Sequence, residues 1–212
     1  EERKPPLQKK LHSSPHLTPS PPPTPPKRGE NSNAQDIHST IYKNLGNLGL
    51  AHQKLIFSPF SPVGINIGIQ NFDIYGFNAK GIRYFDTKSP FTELFYMNGS
   101  KNEQLLKIFH TQNISKNFNV GIEYRRLVSD GFYTRQKSSH SDFAFFTWYK
   151  SKNGRYNLIT NAIWNNLKVE ENGGISNDSL FENGAGARKN TIDIRLDSAH
   201  NNWKRNSFFI KQ

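Results

Sequence analysis

The chain has 212 residues and a formal net charge of +11, from 28 basic and 17 acidic side chains. This charge is compatible with nucleic acid, an anionic membrane surface or anionic solutes as partners. The absence of cysteine excludes a disulfide framework and a cysteine-rich zinc site. No apolar run approaches the roughly 20 residues of a membrane-spanning helix, so a location in a bilayer would have to be built from strands.

Residues 1–40 hold most of the 12 prolines, including Pro21, Pro22 and Pro23. This composition favours extended polyproline II and predicts a disordered tail or linker. A PxxP ligand for a partner domain is the functional alternative. No signal-peptide pattern stands at the N-terminus, so we expect a signal peptide to be absent or already removed.

Residues 41–80 form a lead-in rich in glycine and asparagine. Short strands are predicted at 55–57 and 65–69, interrupted by Pro59 and Pro62, which cannot donate to a ladder. The GxxG of Gly46 and Gly49 lacks the Lys-Ser/Thr ending of a phosphate-binding loop. We interpret it as a turn.

Residues 81–212 alternate apolar and polar side chains with the period of a β-strand. We expect an all-β, antiparallel up-and-down transmembrane barrel, of which roughly six to eight strands are present, as the N-terminal part of a larger barrel. The predicted strands are 82–87, 91–97, 103–112, 117–127, 141–150, 155–167, 191–196 and 207–211.

Strand length and connection length both favour this architecture. Ten residues at about 3.3 Å rise and 45° tilt cover about 23 Å, which is close to the apolar band of an outer-membrane barrel. The connections around 115–117 and 151–154 are short, whereas those at 128–140 and 168–190 are long. Outer-membrane barrels show this alternation of tight turns and longer external loops.

The hairpins predict which side chains share a face. A turn centred on Ser115 places Lys107 opposite Glu123, and a turn centred on Ser100 places Glu93 opposite Lys107, which would give a ladder of alternating charge. Asn153-Gly154 suits a two-residue type I′ turn and pairs Phe143, Phe145, Thr147 and Tyr149 with Trp164, Ala162, Thr160 and Leu158. An ordinary solvated sheet face would show the same charged ladder.

The two faces give two sets of candidate site residues. The polar set, which we predict to line a pore, is Glu93, Lys107, Asn119, Glu123, Arg125, Asp142, Lys150, Asn157 and Asn161. The apolar set, which we predict to face lipid, is Phe118, Val120, Ile122, Tyr124, Phe143, Phe145 and Trp164. Phe146 and Trp148 fit poorly, because they fall among the polar set. Phe118, Trp148, Tyr149 and Tyr156 lie near the short-turn end, where an interfacial aromatic girdle belongs.

The sequence predicts no catalytic residue, metal site or cofactor. No histidine pair has metal-ligand spacing on one element. Ser139, His140 and Asp142 are the residue types of a catalytic triad, but neighbours in sequence do not have triad geometry.

Three runs, at 84–104, 113–158 and 170–178, closely resemble the putative porin family of Bacteroidetes outer membranes. Residues 87–93, reading TKSPFTE, match the family's entry into its first strands, and residues 170–175 match an external-loop segment. The resemblance covers about 42–212. It implies a large outer-membrane β-barrel in the bacterial cell envelope, without catalytic residues. The proline-rich tail is unlike the family's usual N-terminus, and family members continue for several hundred residues beyond this point.

We therefore expect a porin-like barrel that passes small hydrophilic solutes by passive diffusion, with outer-membrane lipid as its surroundings and no nucleic-acid partner. One alternative is a soluble or surface-exposed β-sandwich that uses its basic, aromatic faces to bind nucleic acid or glycan. Another is a barrel that acts as a docking or secretion component. Solute identity, strand number and oligomeric state are open at this point.

Overall fold

The computed structural model describes residues 42–44, 46–56, 70–182 and 192–212. These residues form eight strands and the short helix α1 (Asp178–Glu182). The strands are β1 (Tyr42–Asn44), β2 (His52–Lys54), β3 (Phe91–Asn98), β4 (Gln104–Ser115), β5 (Phe118–Ser129), β6 (Ser138–Lys150), β7 (Asn157–Glu170) and β8 (His200–Lys211). The predicted tail at 1–40 and the predicted strand at 65–69 lie outside the described residues.

Strands β3 to β8 form one antiparallel sheet in which each strand pairs with the next in sequence. Strands β1 and β2 pair separately as a small hairpin. The predicted all-β, antiparallel up-and-down arrangement is confirmed. Among the described residues β3 and β8 pair with only one neighbour each, so the sheet is open at both sides. The part of the chain that the structure describes holds no helix with the length and apolarity required to cross a bilayer.

The connections at the two ends of the sheet differ in length. One end carries the tight turn at 116–117 and the short loop at 151–156, and we call it the short-turn end. The other end carries the connections at 99–103, 130–137 and 171–199, and we call it the long-loop end. The predicted alternation of short and long connections is therefore present in the structure.

The predicted register is confirmed for β6 and β7, where Phe143 pairs with Trp164 and Tyr149 pairs with Leu158. The predicted turn type is wrong. Gly154 alone takes a positive φ there, of 68°, and the Gly154 N–H donates to the Ser151 carbonyl at 2.9 Å. The connection is thus a longer loop around an ordinary turn, and it keeps the same pairing.

The predicted ladder of alternating charge is wrong in its pairing. Lys107 lies opposite Phe95 on β3 and opposite Arg125 on β5, whereas Glu93 lies opposite Phe109. One cause is the turn between β3 and β4, where the consecutive residues 101 and 102 take φ values of 56° and 54°, as a type I′ turn requires. The other is a bulge between Asn113 and Ser115. Each shift is by two residues, so every side chain keeps its predicted face.

Two predicted strands are absent from the described part of the chain. Residues 82–87 form no strand, although Ile82, Tyr84 and Phe85 are buried. Residues 192–196 contribute only an isolated bridge between Ile194 and Ile175. At 55–56 the chain bends instead of extending. The alternation in 82–87 has a different origin, because these side chains pack against the sheet instead of joining it.

Residues 46–56 and 70–90 lie across one face of the sheet, and we call them the covering segment. Two apolar clusters join the covering segment to the strands. The first contains Leu50, Phe72 and Tyr75 from the covering segment, packed on Leu105, Leu127, Leu167 and Val169 of the sheet. The second contains Ile82, Tyr84 and Phe85, packed on Phe109, Ala144, Phe146 and Ile163. We call the covered face the inner face and the opposite face the outer face.

Candidate functional site: the two faces of the sheet

The nine residues predicted to line a pore all belong to the inner face, by strand register. Their surroundings differ. Asn119, Asp142 and Asn161 are buried. Lys107, Glu123 and Arg125 are half-buried, and Glu93, Lys150 and Asn157 are exposed. The inner face of this sheet is thus partly covered by the chain's own N-terminal region.

Arg125 and Asp142 form an ion pair beneath the covering segment. The Arg125 Nη2 donates to Asp142 Oδ2 at 2.8 Å, and the Arg125 Nε donates to the same oxygen at 3.1 Å. Their side chains are 19% and 3% exposed. The Arg125 guanidinium also lies 4.7 Å from the ring centroid of Phe77 in the covering segment. A buried charge needs such partners, because an unpaired one is costly in a medium of low polarity.

Two asparagines of β7 bind the backbone of the covering segment. Asn165 accepts a hydrogen bond from the Phe77 N–H and donates one to the Phe77 carbonyl, both at 2.9 Å. Its amide thereby replaces the partner strand that Phe77 lacks. Asn161 donates to the Tyr84 hydroxyl at 2.8 Å. Burial raises the pKa of the Tyr84 hydroxyl, and the hydrogen bond from Asn161 acts in the opposite direction.

At the long-loop end, a turn of the covering segment closes on β5 and β6. Ser138 Oγ donates to the Leu48 carbonyl at 2.6 Å, and His140 Nε2 lies 2.8 Å from the Gly49 carbonyl. Gly49 has a φ of +87°, and a Cβ there would come within 2.7 Å of Leu127 and Ser138. The backbone can therefore approach the sheet only because this residue is glycine. The predicted turn at Gly46 and Gly49 is confirmed.

A tyrosine completes the contacts of this turn. The Tyr75 hydroxyl accepts from the Gly49 N–H at 3.1 Å and donates to the Leu50 carbonyl at 3.0 Å. It also lies 2.7 Å from His52 Nδ1. Burial raises the pKa of this phenol, so the hydroxyl stays protonated and keeps its donor role throughout the physiological range.

Charged side chains that the covering segment leaves partly accessible gather on β3, β4 and β5. Glu93, Glu123 and Arg125 all act electrostatically on Lys107. Arg83 of the covering segment acts on Glu123, and its guanidinium lies 5.7 Å from the ring centroid of Phe109. Glu93 and Glu123 are therefore close to Lys107, as predicted, although both are its diagonal neighbours and its direct partner on β5 is Arg125.

The outer face carries all seven residues predicted to face lipid, by strand register. Large apolar side chains stand exposed there on all six strands. These exposed residues are Leu94, Tyr96, Ile114, Ile122, Phe145, Tyr149, Trp164, Phe208 and Ile210. Trp148 is the member of the predicted aromatic girdle that lies on the inner face, where it packs against the second cluster. Such a large apolar surface on a sheet calls for a covering medium or partner.

Polar side chains within this apolar surface bind one another. Thr147 Oγ1 and Thr160 Oγ1 lie 2.7 Å apart across β6 and β7. His110 Nδ1 lies 2.7 Å from Thr92 Oγ1 across β4 and β3. Pairing of this kind suits a surface that has no water to satisfy its polar groups.

The apolar band runs obliquely across the strands. Its edge toward the long-loop end lies at Tyr96 and Leu106 on β3 and β4, which are directly opposite each other. On β8 the edge lies at Phe208. The strand pairing sets Leu106 in line with Lys204 of β8, and Phe208 lies two rows of side chains beyond Lys204 toward the short-turn end. With about 6.6 Å per row and 4.8 Å between strands, this shift corresponds to a tilt of about 30°. Strands in outer-membrane barrels tilt by about 35–45°.

The triad residue types at 139–142 do not meet. Ser139 lies on the outer face, whereas His140 and Asp142 lie on the inner face. Among the described residues no group of three or more histidine, cysteine or acidic side chains has the arrangement to hold a metal ion.

An up-and-down antiparallel sheet with long strands, an apolar outer band and charged inner side chains is the construction of an outer-membrane β-barrel protein. The family model described as Putative porin matches residues 26–212. The chain therefore belongs to this porin family. No curated protein and no solved structure matches the chain. Family membership gives the protein a porin-like role in general and implies the bacterial outer membrane as its location.

Proposed function

We propose that the chain forms one part of the wall of an outer-membrane barrel that lets small hydrophilic solutes diffuse through a polar lumen. The observation that supports this most is the division of the sheet into two faces. Hydrocarbon side chains form an oblique outer band, whereas charged side chains collect on the inner face. Together with the porin family assignment, this division favours a barrel wall over a β-sandwich, whose two sheets would bury the apolar face.

The pore-lining and lipid-facing roles follow from this proposal. Glu93, Lys150 and Asn157 are the inner-face residues we assign to the solute path, because they are exposed. Lys107, Glu123 and Arg125 contribute charge at its edge. Asn119, Asp142 and Asn161 are buried, and Asn161 binds the Tyr84 hydroxyl of the covering segment. The transport involves no chemical step, and selectivity follows from the charges that line the path.

Planar-bilayer recordings of the full-length gene product test this proposal. We expect conductance, and we expect Glu93→Lys to shift the reversal potential under a salt gradient toward anions, since a cation then replaces an anion beside the path. Glu170→Lys is the matched control, because Glu170 lies on the outer face of β7. It should leave the reversal potential unchanged. An absence of conductance, or an equal shift in both variants, would refute the pore.

The covering segment favours one second candidate. Because residues 46–56 and 70–90 occupy the inner face, the barrel could serve as a docking or secretion component that conducts little. In that case the wild-type protein would be silent in the same recordings. Deleting an external loop would abolish capture of the partner without altering membrane insertion.

A further inference from the structure

We propose that a cavity at the short-turn end of the inner face is a binding site for a small organic anion, with a phosphate or carboxylate group held by lysines and an apolar or ring face against Trp148. The proposal deepens the proposed function by naming a class of solute, and in that respect it rests on the proposed function. The cavity has a volume of about 260 Å³.

Three lysines from two neighbouring parts of the short-turn end line this cavity. Lys116 belongs to the turn between β4 and β5, Lys150 is the last residue of β6, and Lys152 belongs to the loop between β6 and β7. Among the described residues, no carboxylate lies within ion-pair distance of these three lysines. Three cations around one cavity repel one another unless an anion lies between them.

The one carboxylate beside the cavity is already engaged. Asp86 accepts a hydrogen bond from the Asn113 Nδ2 at 2.8 Å. With three lysines against a single aspartate, the rim has an excess of positive charge, which attracts anions toward a concave site.

The floor of the cavity is a fixed polar network. Asn119 is 1% exposed, and its Nδ2 donates to Asn113 Oδ1 at 2.7 Å. Thr111 Oγ1 donates to Asn119 Oδ1 at 2.9 Å. The network holds the floor in one arrangement before any ligand arrives, which lowers the entropic cost of binding.

The size and the wall restrict the ligand further. Drug-sized ligands occupy pockets of about 300–1,000 Å³, so this cavity suits something smaller, such as a sugar phosphate or a dicarboxylate. Trp148 is among the lining residues, and aromatic faces pack well against the apolar face of a sugar or another ring. Asn113, Asn119, Trp148 and Lys150 line the cavity from the inner face, which we assign to the lumen side of the sheet.

Isothermal titration calorimetry on the full-length protein in detergent tests the site, with glucose 6-phosphate as the probe and glucose as the neutral comparison. We expect saturable binding of glucose 6-phosphate alone, with displacement by inorganic phosphate. The triple variant Lys116→Gln, Lys150→Gln, Lys152→Gln should weaken binding at least tenfold, and the corresponding lysine-to-arginine variant should retain it. The control removes equal charge elsewhere, by Lys80→Gln, Lys168→Gln and Lys204→Gln, and should bind as the wild type does.

Several results would overturn the proposal. They are no binding by the wild type, equal binding by the triple glutamine variant, and an equal loss in the control. Loss of glucose 6-phosphate binding in phosphatidylglycerol nanodiscs, with binding intact in phosphatidylcholine nanodiscs, would assign the lysines to a lipid headgroup instead. Calorimetry in detergent measures binding whether or not the protein conducts. A protein that conducts without binding would therefore refute this site alone, and one that binds without conducting would refute the pore alone.

Discussion

Asp142→Ala should lower the free energy of unfolding by about 3–5 kcal/mol, the cost typical of leaving one partner of a buried ion pair alone. Arg125 would keep its charge beneath the covering segment without the carboxylate that pairs with it, although the Phe77 ring 4.7 Å away remains. We expect the covering segment to loosen with it, because the guanidinium touches both the sheet and that segment. Urea unfolding of the protein in detergent micelles, followed by tryptophan fluorescence, measures the loss.

Two matched variants separate the ion pair from general effects of substitution. The pair of Lys137 and Asp130 has side chains that are 56% and 39% exposed. Asp130→Ala should therefore barely move the unfolding midpoint, since exposed pairs contribute little. The double variant Arg125→Met, Asp142→Leu should be more stable than Asp142→Ala, because it leaves no unpaired charge. Equal losses in Asp142→Ala and the double variant would contradict the ion-pair explanation.

Gly121→Ala should destabilise the sheet by about 1–3 kcal/mol, as overpacking of a core does. A Cβ at this position would overlap the edge of the Phe146 ring and would come within 3.0 Å of the His110 carbonyl oxygen. The Phe146 ring cannot yield easily. It is fully buried, with Phe109 stacked at a centroid distance of 5.8 Å and Tyr84 edge-on at 5.8 Å.

A double-mutant cycle checks this steric explanation by the same urea unfolding. Phe146→Leu makes room beside Gly121, so Gly121→Ala should cost less in that background than in the wild type. Gly81→Ala is the control, because a Cβ there meets its nearest neighbours at 3.6 Å, an ordinary contact distance. If Gly121→Ala costs the same in both backgrounds, the clash with Phe146 is not the cause.

The sequence predicts the faces of the strands better than it predicts their partners. Alternation assigns each side chain to a face without knowledge of the turns, and a register shift of two residues leaves that assignment intact. Lys107 and Glu123 thus lie on the predicted face although they are not opposite each other. The pairing of β4 with β5 depends on the bulge between Asn113 and Ser115, and the pairing of β3 with β4 depends on left-handed conformations at Lys101 and Asn102. Neither residue is glycine, so the sequence gives little indication of them.

The covering segment is the feature that sequence reasoning missed. Two signals for it were present. Phe146 and Trp148 stand among polar side chains on the inner face, and a water-filled lumen gives no reason for them. The alternating residues of 82–87 look like a strand, but their apolar members pack against Phe109 and Phe146 instead. Large apolar residues on a face otherwise assigned to water indicate that another part of the chain covers it.

The buried asparagines could not have been assigned their role from sequence. Asn161 and Asn165 fit a polar lumen by pattern, and both lie on the inner face. Only the structure shows that Asn165 bonds both backbone groups of Phe77. This contact joins residues 88 positions apart, and no local pattern in the sequence predicts a partner at that distance.

Contact between the outer face and lipid is the central claim, and nitroxide accessibility in vesicles measures it most directly. The 212 residues contain no cysteine, so within them a spin label attaches only where a cysteine is introduced. Labels introduced by Ile122→Cys and Phe145→Cys should be accessible to oxygen, which dissolves in hydrocarbon, and shielded from a water-soluble nickel chelate. A label introduced by Asn157→Cys, on the exposed part of the inner face, should show the reverse. Equal access of the nickel chelate to all three labels would contradict the assignment of the outer face to lipid.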